Sequence, residues 1–236
     1  MPDSSKIKAV FFDFMGTCLD WHSSVLKSMP ISIPTEEASK LALNWRRLYF
    51  LENEQRVRQN LAPEDIDLTL ARVLETALLQ AAGTPSFTAD EKRKLVEAWH
   101  SQPAWPEVPG AIQSLRDHLG LEVFVHANGT TRLQLDLTRS SGLKFNLLFS
   151  SKLLGVYKPN LDAYKKALEL VQRTPEEVVM VAAHAYDLRA AKMLGMKTIY
   201  IHRWTDDIHE DMDKVRGEFD FFLEDMEKLP AVIESM

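Results

Sequence analysis

Along this chain the spacing of apolar positions changes character twice. Ile7 to Phe12 (IKAVFF) is a β-branched and aromatic run that stops at Asp13, with Gly16 soon after, the pattern of a buried strand opening into a loop. From about Thr35 to His100 strand signals vanish. Glu36 to Asn60, Pro63 to Ala82 and Thr88 to Trp99 read instead as amphipathic helices, punctuated by Pro63, by Gly83-Thr84-Pro85 and by Asp90-Glu91 near a helix start. Beyond Pro103 and Pro106 helix and strand alternate. Helices are predicted over Gly110 to His118, Thr131 to Ser140, Asn160 to Val171 and Asp187 to Leu194, and strands over Leu121 to Ala127, Asn146 to Ser150, Val178 to Ala183 and Lys197 to Ile201. Such alternation implies right-handed crossovers and a parallel sheet covered on both faces, so the class is α/β. A strand at 7–12 has to join that sheet, since it would not be stable alone. Residues 1–20 and 103–236 are therefore expected to form one α/β core domain, and 21–102 a helical domain inserted after the first strand.

Composition narrows the functional classes. With 236 residues, 45% hydrophobic and 26% charged, the chain has enough apolar material for a packed core. A formal charge of -6 gives no basic field for nucleic acid or an anionic bilayer, so neither is an expected partner. The single cysteine, Cys18, makes no internal disulfide, and no Cys/His cluster has zinc spacing, which fits a reducing, cytoplasmic compartment. Met1 to Lys8 lacks the features of a secretory signal, and no stretch approaches the ~20 apolar residues that span a bilayer.

In open parallel sheets ligands gather beyond the carboxyl ends of the strands. Here the first strand ends in Asp13, the second in Ala127-Asn128-Gly129, Lys158-Pro159 follows the third, and the fourth ends in Ala183-His184 with Asp187 close behind. Two carboxylates, an amide and an ammonium from four distant segments make a catalytic constellation if the sheet forms.

These residues carry a family resemblance. Asp13-Phe14-Met15-Gly16-Thr17 resembles the D-x-x-G-T motif of the haloacid dehalogenase superfamily, and Asn128, Lys158 and Asp187 fall where its later motifs stand. Phe12 to Ser23 (FDFMGTCLDWHS), Trp45-Arg46 and Tyr157 to Tyr164 (Y-K-P-x-x-x-x-Y) are closer still to the type II 2-haloacid dehalogenases. The resemblance implies a Rossmann-like parallel-sheet core with an inserted helical cap, no cofactor and no metal, a small organic acid as substrate, and a homodimer as a possible assembly. It implies Asp13 as nucleophile on C2 of a 2-halo acid, with Lys158 offsetting charge and Asp187 holding Lys158 and orienting the hydrolytic water. Arg46 and Asn128 would cradle the halide, and Phe14, Met15, Trp45, Ala127, Tyr164 and His184 would contact substrate. Peptide N–H groups around Phe14, Met15 and Gly16 form an expected anion site.

Departures from the family pattern matter equally. Superfamily phosphatases place a general acid two residues after the nucleophile, where this chain has Met15, and gather carboxylates near Val181-Ala182-Ala183-His184, where it has none before Asp187. The dehalogenase pattern has a tyrosine at Met15, a hydroxyl at Ala127 and a serine at Ala182 or Ala183, so the pocket is expected to be more apolar. The alternative is therefore an enzyme on the same scaffold using Asp13 and Lys158 on another metabolite, with phosphatase or binding-only roles behind it. Plainer readings also stand: Asp13 capping a turn, Lys158 or Arg46 facing water, Asp187 as a helix N-cap, and Tyr164, Trp45, His126 or His184 as packing residues.

Overall fold

A computed structural model describes residues 7–81 and 86–236; Met1 to Lys6, the end of the helix predicted to reach Ala82, and the Gly83-Thr84-Pro85 break lie outside them. Among the described residues the sheet comprises β1 (Ala9–Phe12), β2 (Glu122–Ala127), β3 (Leu147–Ser150), β4 (Val178–Ala182), β5 (Lys197–Ile201) and β6 (Phe221–Leu223). All pairings are parallel, in the order β3-β2-β1-β4-β5-β6. Helices α1 (Trp21–Ser28), α2 (Thr35–Arg58), α3 (Ile66–Gln80) and α4 (Ala89–Ala98) follow β1, and α5 (Val108–Asp117) leads into β2. The crossovers continue with α6 (Thr131–Ser141), α7 (Ser151–Leu154), α8 (Leu161–Val171) and α9 (Ala185–Met193), and the chain closes with α10 (Met212–Glu218) and α11 (Leu229–Glu234). Among the described residues no helix is long and apolar enough to cross a membrane.

The register explains why the predicted strand ends converge. Phe12 pairs with Val125 on one side and Val181 on the other, so the chain leaves three adjacent strands at nearly one level. From β1 the chain builds β2 and β3 on one side, then returns to build β4 to β6 on the other. The site therefore falls at the switch point of the sheet. Alternate residues face opposite layers: Val10 and Phe12 join one buried cluster, Ala9 and Phe11 the other. The first cluster continues without a break into the helical layer, through Trp21 stacked on Trp99 and on to Trp45 and Leu70. That continuity holds α2 against the strand ends.

Several predicted elements differ in detail. Helix α3 starts at Ile66 rather than Pro63, because the Asp65 side chain accepts from the Asp67 N–H and caps it. Helix α9 starts at Ala185, so Asp187 lies inside its first turn and is not the N-cap. Helix α1 and everything after β5 were not predicted: α1 spans 8 residues and β6 only 3, too few for periodicity to register.

Candidate active site

Asp13 follows β1, and its backbone N–H donates to Val181 O at 3.0 Å, which extends the ladder by one residue and aims the side chain past the sheet edge. The carboxylate is 6% exposed and densely held. Lys158 Nζ donates to its Oδ1 at 3.0 Å, Thr17 Oγ1 donates to Oδ2 at 2.8 Å, and His184 Nδ1 lies 3.0 Å from Oδ2. Burial alone would push the Asp13 carboxyl up; the Lys158 and His184 charges outweigh it and hold it well below the usual carboxylate range. It is ionised at any physiological pH.

Lys158 is positioned by three oxygens: Asp13, Asp187 Oδ2 and the His126 carbonyl at 2.6 Å. Burial would lower the ammonium, and the two carboxylates more than offset it, so the pKa stands above its ordinary value. Its backbone is fixed from β2, since Asn128 Oδ1 accepts from Lys158 N at 2.9 Å and Asn128 Nδ2 donates to Lys158 O at 3.1 Å. The Lys158-Pro159 peptide is cis. Tyr164 donates its hydroxyl to Asp187 Oδ1, so both oxygens of that fully buried carboxylate are engaged, and burial pushes Asp187 up against the pull of Lys158.

His184 bridges two carboxylates, with Nε2 lying 3.0 Å from Asp206 Oδ1. Burial opposes charge on the imidazole, yet Asp13 and Asp206 together push its pKa up to about 10, so it is an imidazolium. Asp206, against burial, is drawn down to about 2 by Arg46 and His184. It also accepts from Trp21 Nε1 at 3.0 Å and Thr205 Oγ1 at 2.7 Å. It packs against Gly16, whose φ of 88° and bare Cα are both required: a Cβ there would lie 2.5 Å from Asp206 Oδ2.

Arg46 descends from α2. Its Nη2 donates to Met15 O at 3.0 Å and to Asp206 Oδ1 at 3.3 Å, and its guanidinium lies 4.6 Å from the Phe50 ring centre and 5.3 Å from that of Trp21. Nε is buried without a hydrogen-bond partner. These groups enclose a niche of about 20 Å³, lined by Asp13, Met15, Arg46, Tyr49, Phe50, Ala127, Asn128, His184 and Tyr186, with room for about one water. Cys18 lies outside it, fully buried, with Sγ donating to the Asp13 carbonyl at 3.3 Å.

The sequence-predicted residues divide accordingly. Asp13, Lys158, Asp187, Arg46, Asn128 and His184 come together, with Met15 and Ala127 on the niche wall. Three predicted substrate contacts lie off the niche wall. Trp45 is fully buried in the helical layer and donates to Leu70 O at 2.9 Å; Phe14 packs edge-on to Phe145; Tyr164 reaches Asp187 rather than the niche. The expected peptide anion site is partly spent, since the Gly16 N–H donates to Leu19 O. Sequence reasoning missed Asp206, which follows the fifth strand. The strand-end rule applied to β1 to β4 reaches it as soon as it is applied to β5. The aromatic box around Arg46 had no comparable sequence signal, because its rings come from α1, α2 and the residue after α4.

An ionised carboxylate bonded by Lys158 and His184, in a niche that it shares with Arg46, is an arrangement for chemistry, and the class that fold and site define is an enzyme. A profile of the haloacid dehalogenase-like hydrolases matches residues 7–195, and the chain belongs to that family. It is 28% identical over 200 residues to (S)-2-haloacid dehalogenase 1 of Pseudomonas sp. (strain CBS-3), covering 84% of this chain and 85% of that one. It is 27% identical over 203 residues to haloacetate dehalogenase H-2 of Moraxella sp. (strain B), covering 84% and 87%. A crystal structure of an L-2-haloacid dehalogenase superposes with a TM-score of 0.81 at 27% identity, covering 98% of this chain and all of that one.

Proposed function

We propose that this enzyme displaces halide from C2 of a 2-halo carboxylic acid, with the helical layer acting as a cap over the strand ends. The observation that carries the reading is the state of Asp13: ionised, buried and lining the same niche as the Arg46 guanidinium. Partial desolvation makes such a carboxylate a stronger nucleophile, and a fixed cation in the same niche stabilises the anion that departs. As the Asp13 oxygen bonds to C2, the carbon–halogen bond breaks and the halide leaves with the electron pair toward Arg46. No proton is needed for that step, which suits Met15 at the position where an acid would stand.

The second half hydrolyses the aspartyl ester at the Asp13 carbonyl carbon, returning the 2-hydroxy acid and the free carboxylate. His184 is suited to assist it. Esterification removes one of the two carboxylate charges that hold the His184 proton; in this reading that proton is released to solvent with the halide, and the neutral imidazole then takes a proton from the water that attacks the ester carbonyl. Asp206 keeps that ring oriented. Asp187, with both oxygens engaged, acts as the anchor of Lys158 rather than as the water-orienting group. The reading is metal-independent, since Lys158 Nζ occupies the position between Asp13 and Asp187 that a bridging cation would take.

Halide release from a panel of 2-halo acids, compared with Asp13→Asn, tests the reaction. A single turnover in heavy-oxygen water, enzyme in excess, should put label into Asp13. Label found in product alone would remove the ester from the mechanism, and full activity in Asp13→Asn would remove the nucleophile.

A further inference from the structure

We propose that the cavity beside the niche is a subsite for a long apolar tail, so that the preferred substrate is a 2-halo acid with an extended alkyl chain rather than an acid of two or three carbons. The head of that substrate rests on the dehalogenation reading; the tail rests on separate observations. The niche accepts little more than the reacting atoms. Beside it lies a second cavity of about 560 Å³, and the two share Arg46, Phe50, Asn128 and Tyr186 as lining. That volume lies within the range of pockets that enclose whole organic ligands. A short acid would leave most of it filled with water next to the ester.

Its walls favour an apolar occupant. Leu43, Phe50 and Val57 recur every seventh residue on α2 and lay one stripe along the cavity over about 21 Å. The loop from Thr205 to Glu210 lines the same cavity. Leu51 from the helix and Ile208 from the loop are 47% and 49% exposed, large apolar groups left in water in a common space. Of the charges along the walls, Arg58 pairs with Glu54 and Glu210 with Arg189, while Arg47 donates to the neutral Asn44 amide.

The test is a chain-length series of (S)-2-bromo acids from 2-bromopropanoate to 2-bromodecanoate, assayed by bromide release. Each methylene buried from water is expected to raise kcat/KM about two- to fourfold until the cavity is filled. In parallel, calorimetry on Asp13→Asn with unhalogenated straight-chain alkanoates measures the tail alone and should tighten by a similar factor per methylene. Ile208→Asp and Leu51→Asp should flatten both series, and Ile208→Leu should keep them. A flat or falling series in both assays, or a slope that survives Ile208→Asp and Leu51→Asp together, would overturn the proposal. Tightening alkanoate binding with no bromide released from any acid would uphold the subsite and overturn the dehalogenation reading instead.

Discussion

Among the buried cations around Asp13, Lys158 and Arg46 are held in opposite ways. Lys158, from the core, is 3% exposed and surrounded by oxygens: two carboxylates and a carbonyl take its three protons. Arg46, from the helical layer, is 4% exposed and surrounded by rings, with two acceptors for Nη2 and none for Nε. An ammonium whose protons are all committed fixes its neighbours and has nothing left to offer a ligand. A guanidinium solvated by π-faces keeps its charge under-neutralised, so an incoming anion gains from it. On the dehalogenation reading, the core side would set the nucleophile and the helical side would receive the leaving group.

The largest effect should come from breaking the oxygen-bound side. Lys158→Met leaves Asp13 and Asp187 buried without their counter-ion, and the expected loss is about 3 to 5 kcal/mol of stability together with all turnover. Urea unfolding measures it, and adding Asp13→Asn should recover part of the stability but none of the activity. A loss below about 1 kcal/mol would mean that the carboxylates are not dependent on Lys158.

Next in size is the proton on His184. Its folded pKa of about 10 lies above the free value of 6.5, so its contribution is complete below pH 6.5 and declines until the pH has risen through about 10. His100, pushed up to about 9 by Asp67 and Asp136 against burial, declines over an overlapping range. Unfolding free energy measured between pH 6 and 10 should therefore fall in the parent by on the order of a few kcal/mol, and less in His184→Gln. Equal slopes in the two proteins would show that His184 is not charged in the resting enzyme.

On the ring-bound side, Arg46→Lys keeps a charge but loses the flat surface that stacks on Phe50 and Trp21. It should fold normally and weaken bromide inhibition by about 3- to 30-fold, the equivalent of a cation–π contact of roughly 0.5 to 2 kcal/mol. An unchanged inhibition constant would place the halide elsewhere. The smallest effect is expected at Trp45, one residue away but pointing into the helical layer. Trp45→Phe loses its bond to Leu70 O, about 1 kcal/mol of stability, with kcat/KM close to the parent's. A large rise in KM would return Trp45 to the list of substrate contacts.

The same division marks what was legible in the sequence. The core side could be read because strand ends are local events: an apolar run stops, a polar residue follows, and parallel register brings Asp13, Asn128, Lys158 and Asp187 together. The helical side could not be read that way. Trp45 and Arg46 are adjacent, and a helix turns them about 100° apart, so only packing decides which one faces the niche. The resemblance implies Trp45 at the substrate and Arg46 at the halide, yet packing directs Trp45 to Leu70. Asp206 escaped because its segment follows a strand without belonging to any motif, and its role arises only through His184 and Arg46.

The placement of Cys18 has a consequence for self-damage. A 2-halo acid is an alkylating agent, and thiolates are the side chains most readily alkylated. The chain has one thiol, five residues from the nucleophile. Burial pushes its pKa well up, the neighbouring Asp13 charge pushes the same way, and no face of it opens to the niche. On the dehalogenation reading, the electrophile would therefore meet a carboxylate whose ester water can undo, and not a sulfur whose thioether would be permanent.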